Sequence, residues 1–492
     1  MEGSGCVGTD DGYLSSVRRR PLAVAVAALA LVAVAVVAIL LVRGGGEKKA
    51  PARAGDPRAE ALAYAPRNAT AIIGVDTRSP LAGLVLQELI PRLTGRALSA
   101  TDVQPLLGNE AVVALLDPSG TRGQLSLVAE DPDTLRALAR RLRRTGDYKG
   151  AALYSGPQES AIAVRGAAVV AASDEATVRR ALDIRDDANA HLTRAEFDTR
   201  LAGLPRTAPV RAVFDPRPLV AARIRGALRT RWGQALRNGA AVLLSGDRGL
   251  RVPFRLQTDA TRLTDADLPL ATGPKPPQMR GIAPLLIGVR DLSRLLVFLR
   301  KADPQRFASI DRLQTGLPAF LRLDVNGLVG GLTGDATISS FDLLEHVVIR
   351  TDPRDPGAFR NPLQRLSTLS GVLRRLGITD LQLIDEPGDA YRLMVDRKMV
   401  ARAAVLGRTL VATNDPRAGL RAAATAPVVP APAGAAGALT VRLRGSAVRA
   451  FLTTTFGLPP EATVLLDRVG DITGWARAER DALSGEMELA LR

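Results

Sequence analysis

Gly166–Leu182 reads GAAVVAASDEATVRRAL. A short Ala/Val run is broken by Ser173-Asp174-Glu175, and Val178, Ala181 and Leu182 then recur at helical spacing. The pattern is a buried strand, an acidic cap and an amphipathic helix. GRTLVATND, Gly407 to Asp415, repeats the strand and cap farther along the chain, and a short helix is expected after it as well. Four more echoes fall in the same order. Leu286-Ile287-Gly288-Val289 matches Ile72-Ile73-Gly74-Val75, and His346–Pro353 matches Ser126–Pro132. Ala438–Leu443 matches Val210–Phe214, and the terminal GEMELALR matches GLRVPFRLQT. Order kept across several elements points to two copies of one α+β unit built on largely antiparallel sheet.

Between the echoes, each segment reads locally. Ala69–Val75 is a strand, and Ser79-Pro80 opens a helix carrying Leu81, Leu84, Val85 and Leu89. Glu110 leads into AVVALL, and QLSLVA (Gln124–Ala129) follows. Asp131-Pro132-Asp133-Thr134 caps a helix with Leu135, Leu138 and Leu142 on one face and arginines on the other. GAALYSG, SAIAVRG and AAVVAAS read as a three-strand meander. The first copy closes with a strand at Pro209–Asp215, a basic helix near Val220–Arg237 and the hairpin AAVLLSGDRGLRVPFRLQT. Asp259–Gly281, with Pro269, Pro274, Pro276 and Pro277, is the linker between copies. Ala422–Gly437, rich in Pro and Ala, reads as a surface loop inserted in the second copy.

Ahead of both copies stands Leu22–Val42, LAVAVAALALVAVAVVAILLV, with no charge, Gly or Pro. As a helix it spans about 30 Å, the thickness of a bilayer's hydrocarbon. Arg18-Arg19-Arg20 flanks it on the amino side. The run is too long for a signal-peptide core and ends in Ile39-Leu40-Leu41-Val42-Arg43 without a small-x-small site, so an uncleaved anchor is expected. The arginine cluster keeps the short tail in the cytoplasm and puts the body outside. The expected organisation is a tail (1–20), a transmembrane helix (21–42), a flexible linker (43–60), a first repeat (61–258), a linker (259–281) and a second repeat (282–492). Gly3-Ser4-Gly5-Cys6-Val7-Gly8 satisfies G-x-G-x-x-G, but no strand precedes it and no βαβ unit follows, so it is not a dinucleotide site.

At Tyr64–Val75, in LLGNEAVVALLD and in AAVVAASDEATVRRAL, the chain resembles a family of bacterial proteins catalogued as domain of unknown function 3352. The resemblance implies a single-anchor envelope protein. It carries over no functional residue.

The 492 residues include 66 Lys and Arg against 50 Asp and Glu, a net charge of +16, and aromatics are only 3%. Lysine occurs only at Lys48, Lys49, Lys149, Lys275, Lys301 and Lys398. An arginine excess spread through an Ala/Val-rich chain fits a GC-rich genome better than a selected nucleic-acid surface. Cys6, the one cysteine, stands in the tail. His191 and His346 lie in different copies, so neither Ser/His nor Cys/His chemistry nor a zinc set is expected. No cofactor or metal is expected. The acids of Asp131-Pro132-Asp133, Asp352-Pro353-Arg354-Asp355 and Asp415-Pro416-Arg417 read as caps rather than calcium ligands. Asp76, Asp117 and Asp215 end strands and leave open an envelope hydrolase using paired carboxylates. The best binding candidate is the basic helix. Ile224, Leu228 and Ala235 make its stripe, and Arg223, Arg225, Arg229, Arg231 and Arg237 surround it as a surface for lipid or a polyanion. The partners expected are the membrane and an envelope polymer or protein, with nucleic acid unfavoured.

Overall fold

The computed structural model describes residues 57–79, 110–118, 122–156, 160–223, 226–246, 249–305, 325–342, 346–375, 381–395, 398–447 and 469–491. The anchor Leu22–Val42 and the helix expected after Ser79 lie outside them. Among the described residues no helix is long and apolar enough to cross a membrane.

The protein is a mixed α+β fold dominated by one antiparallel sheet of twenty strands. In chain order the first half runs α1 (Pro57–Leu62), β1 (Ala71–Asp76), β2 (Glu110–Leu115), β3 (Gly123–Val128), α2 (Pro132–Ala139), β4 (Arg143–Tyr148), β5 (Ala151–Ser155), β6 (Ala161–Arg165) and β7 (Ala168–Ala172). It continues with α3 (Glu175–Asp186), α4 (Arg194–Arg200), β8 (Val210–Phe214), α5 (Pro216–Arg223), α6 (Arg231–Ala235), β9 (Leu236–Gly246) and β10 (Gly249–Thr258). The second half runs β11 (Met279–Arg280), β12 (Leu285–Arg290), α7 (Leu292–Ala302), α8 (Val325–Gly330), β13 (Asp335–Ser340), β14 (Val348–Thr351), α9 (Gly357–Arg375), β15 (Leu381–Glu386) and β16 (Ala390–Val395). It ends with β17 (Lys398–Leu406), β18 (Thr409–Thr413), α10 (Leu420–Ala424), β19 (Val428–Val429), β20 (Leu439–Leu443), β21 (Val469–Ala478) and β22 (Ala482–Leu491).

Every pairing is antiparallel. Read across the sheet, the first half is ordered β4-β5-β6-β7-β3-β2-β1-β8-β9-β10. From the opposite edge, the second half reads β15-β16-β17-β18-β14-β13-β12-β20-β21-β22. The two orders correspond strand for strand, and each echo in the sequence falls on matching strands. The halves meet where β10 pairs with β22. Gly249 faces Ala490 at one end, Gln257 faces Ala482 at the other, and Pro253 faces Glu486 at the centre. That register maps onto itself when the halves are exchanged, as at a two-fold interface. Pro253 has no N–H to give, and the ladder from β10 to β9 skips Val252 and Pro253.

Alternation of side chains gives the sheet two buried faces. On one, Val75, Val113 and Leu127 join Leu250, Ile287, Val441 and Leu489 in a core that runs through both halves, with Leu135 of α2 against it. On the other, Ile72, Val112, Val213 and Val242 of the first half are covered by Ala61 and Leu62 of α1 and Phe197 of α4. The second half covers the matching face differently. Met279 of β11, Ala283 and Val429 of β19 pack on Leu286. β11 comes from the linker at 259–281 and β19 from the Pro/Ala segment at 422–437, and the two pair. The linker is therefore not a loose connection. Leu263, Leu268 and Leu270 are buried with Trp232, Phe298 and Ala476. The Pro/Ala segment is likewise part of the covering layer, although Val428 itself stays half exposed at 51%.

The two ends of the sheet are treated differently. At β15 the N–H of Leu383 donates to Ser370 Oγ of α9 at 2.8 Å, so the helix covers that edge. Among the described residues β4 pairs with β5 alone. An exposed edge row must be protected by charge or irregularity, and β4 has both.

Candidate functional site

The basic helix expected over Val220–Arg237 is not one helix. The chain runs as α5 to Arg223, as a 3-10 turn at Ala227–Arg229, as α6 from Arg231 to Ala235, and enters β9 at Leu236. The break is at Thr230, whose extended backbone and side chain cap α6. Its hydroxyl accepts from the N–H of Gly233 at 3.1 Å. The apolar residues serve the core. Ala227, Trp232 and Ala235 are buried, and Trp232 meets Phe298 edge to face with centroids 5.9 Å apart.

The five arginines therefore do not share a helical face. Arg223 ends α5, and Arg225 lies outside the described residues. Arg229 is exposed in the 3-10 turn. Arg231 reaches toward Asp267 at 3.9 Å, and Arg237, in β9, donates to Asp259 at 2.6 Å. Thr261's hydroxyl and then Arg237's guanidinium hold the Asp259 carboxyl down, from an ordinary 3.8 to about 2. A carboxylate lowered by folding adds stability in full above its unfolded value and loses it as pH falls through the folded one. The contribution of Asp259 is thus intact above about pH 4 and disappears as pH falls toward 2. Arg237→Ala should raise the Asp259 midpoint part of the way to 3.8, with Thr261 still in place, as read by carboxyl NMR titration. An unmoved midpoint would remove Arg237 from the account.

The acidic clusters are local devices. Asp131 accepts from the N–H of Asp133 at 2.9 Å and the hydroxyl of Thr134 at 2.7 Å, capping α2. Asp174 does the same for α3 through the N–H and hydroxyl of Thr177, 2.7 and 2.8 Å away. Asp352 departs from the expected cap. It holds Arg350 by two contacts of 3.1 Å and accepts from Thr409 at 2.7 Å. Asp415 accepts from the N–H of Arg417 at 2.8 Å. Among the described residues no three acidic, His or Cys side chains are placed to hold a metal ion.

Asp76 stands at one end of β1, while Asp117 and Asp215 follow strand ends that flank the other end of β1. Each is occupied nearby. Asp76 accepts from the N–H of Arg78, Asp117 from that of Arg122, and Asp215 from both backbone and guanidinium of Arg217. Burial pushes the Asp215 carboxyl up, but Arg217's hydrogen bonds outweigh it and leave the group lowered. His346 sits against Asp342. Burial raises that carboxyl too, and donors from the His346 N–H and ring and from Ser340 bring it below its usual range. His191 contacts the carbonyls of Ile184 and Asp187 and bridges to Pro66. A cleft of about 110 Å³ lies among Asn68, Arg122, Gln124, Thr177 and Arg180. It has room for a few waters.

A further charged surface lies where α2 gives way to β4. RALARRLRR, Arg136 to Arg144, was expected to continue the solvated face of the capped helix. Instead α2 ends at Ala139, and the chain turns into β4, the edge strand of the sheet among the described residues. Arg136, Arg140, Arg141, Arg143 and Arg144 are all exposed. Arg136 pairs with Asp133 and Arg144 with Asp147. Arg140, Arg141 and Arg143 have no ion pair among the described residues. Tyr154 lies opposite Arg144 on β5. The density of five arginines in nine positions is visible in the sequence, but that they lie on a sheet edge is not.

No protein-family model and no curated protein matches the chain. Among solved structures, crystal form IV of TP0453 matches at 13% identity and a TM-score of 0.27, over 41% of this chain and 80% of that one. Crystal form III of TP0453 matches at 14% identity and a TM-score of 0.26, over 42% and 80%. Likeness at this level carries no argument about fold or function.

Proposed function

We propose that this chain is a single-pass membrane protein of the cell envelope, resembling the family of domain of unknown function 3352, that binds or scaffolds a partner at the membrane surface without catalysing a reaction. Leu22–Val42 is the anchor, the tail is cytoplasmic, and the body outside holds two copies of one α+β unit, 61–258 and 282–492. The strand order repeated from half to half carries the reading, because its symmetric β10–β22 joint makes one long sheet. Such a sheet offers extent and edges as binding surface. The competing reading, an extracytoplasmic hydrolase with strand-end carboxylates, would have to use Asp117 and Asp215, which flank one end of β1 while Asp76 stands at the other, and it is disfavoured by the Arg122 and Arg217 donors that occupy them. An acid pair working together needs both groups around one substrate.

The test is to treat osmotically stabilised, wall-stripped cells with an added protease and follow a tag placed after Arg492. Loss of the tag from intact cells is expected. Protection until lysis would reverse the orientation and make nucleic acid the partner to test, through the salt dependence of binding.

A further inference from the structure

We propose that the arginine edge at Arg140–Arg144 docks against the anionic phospholipid headgroups of the bilayer that holds the anchor, so that the body stands on the membrane along β4. This proposal rests on the anchored reading above.

Three observations carry it. First, the charge has no internal use, since Arg140, Arg141 and Arg143 are exposed and unpaired among the described residues. Second, the geometry suits a plane met edge-on. Successive residues of a strand point to opposite faces, so Arg143 and Arg144 straddle the rim of the sheet. An edge resting on a charged plane lets both reach it, whereas a sheet lying flat would offer only one. Arg140 and Arg141, in the turn just before, extend the same rim. Third, the reach is right. α1, the first described element, lies across β3, where Ser126 donates to the Ala61 carbonyl at 2.8 Å. Four strand spacings separate β3 from β4, about 19 Å. Fourteen residues, 43–56, lie between anchor and body, and a chain of that length can span up to about 45 Å. The edge can therefore meet the same bilayer without strain in the linker.

An incoming acidic peptide strand is the other partner a basic edge suggests. The strand itself argues against it. Register shifts between Arg144 and Gly146, so Thr145 is bulged, and a bulge at an edge interrupts the row of groups that a new strand would need. Lipid headgroups need no such row.

The experiment uses the full chain with Cys6→Ser, reconstituted in vesicles of phosphatidylcholine alone or with phosphatidylglycerol. A fluorophore is placed through Thr145→Cys, or through Asp385→Cys on the far edge strand β15, and lipids carry a headgroup quencher. The expected result is strong quenching at position 145 only, only with phosphatidylglycerol, and reversed by salt as exposed charges are screened. Each arginine near an anionic surface is worth about a fivefold change in occupancy. Replacing Arg140, Arg141 and Arg143 together with serine should thus lower the docking equilibrium about a hundredfold and remove most of the quenching. Equal quenching in both lipids, or at both positions, overturns the proposal, as does a response at position 145 to polyglutamate but not to lipid. Flotation of the same samples separates the failures. Protein that floats with the vesicles without quenching at 145 refutes the docking alone, and protein that does not float refutes the anchor with it.

Discussion

Glu110→Ala is expected to lower the stability of the folded body by about 3–5 kcal/mol, the cost of stripping the partner from buried charges. Glu110 opens β2 and is held by two arginines. Arg211 of β8 donates to its Oε1 at 2.6 Å, and Arg58 of α1 engages both oxygens. The side chains of Arg211, Glu110 and Arg58 are only 7%, 12% and 14% exposed. Neither guanidinium could regain bulk water if the carboxylate were gone. Asp198, 3.6 Å from Arg58, is half exposed and a weak substitute. For a unit of this size the melting temperature should fall by roughly 6–20 °C. Arg136→Ala is the control, because its pair with Asp133 is 67% and 80% exposed and worth within about 0.5 kcal/mol. A loss at Glu110 no larger than the control's would show the network to be hydrated.

Phe197→Ala should cost a similar amount, about 3–5 kcal/mol, through the cavity it leaves. Phe197 is fully buried in α4 and lies on the sheet at Gly74, where an added Cβ would meet its ring at 3.4 Å. The ring thus sits within van der Waals reach of β1 at that point. Phe197→Leu, which keeps most of the volume, should cost clearly less, as chemical denaturation of the two variants would show. Equal losses would mean that the α4 layer, rather than the ring, is what the substitution disturbs. Because Arg58 ties α1 to both Glu110 and Asp198 of α4, the Glu110 and Phe197 losses should not add simply.

Strands were legible in this chain because its apolar runs are short and bounded. AVVALL, QLSLV and AVVAA became β2, β3 and β7 within a residue or so. Caps were legible for the same local reason, since an aspartate before a helical run has an N–H within reach. The echoes located strands that now hold equivalent places in the two halves. What escaped was decided by tertiary partners. RRTGDY has no apolar alternation, yet it is strand β4 because β5 supplies its ladder. Val220–Arg237 has helical spacing throughout, but Trp232 and Ala235 were drawn to a core shared with Phe298 and Ala476, and the helix broke to deliver them. The segments 259–281 and 422–437 read as loops, and the packing of Met279 and Val429 on Leu286 depends on a sheet face that neither segment signals on its own, although most of 422–437 stays at the surface. Of the candidate surface, the arginines at 223–237 followed from a helix that does not exist. Those at 136–144 needed knowledge of where the sheet ends.

The joint between β10 and β22 also sets a clock on biosynthesis. Arg251 closes on Glu486, 235 residues later in the chain. At about 5–20 residues per second of synthesis, the first half has its own strands in hand for roughly 10–50 s while the outer row of β10 stays unpaired. Its register with β22 is symmetric, so during that interval a neighbouring nascent chain offers the same partner geometry. The exposure ends once β22, Ala482–Leu491, has been made.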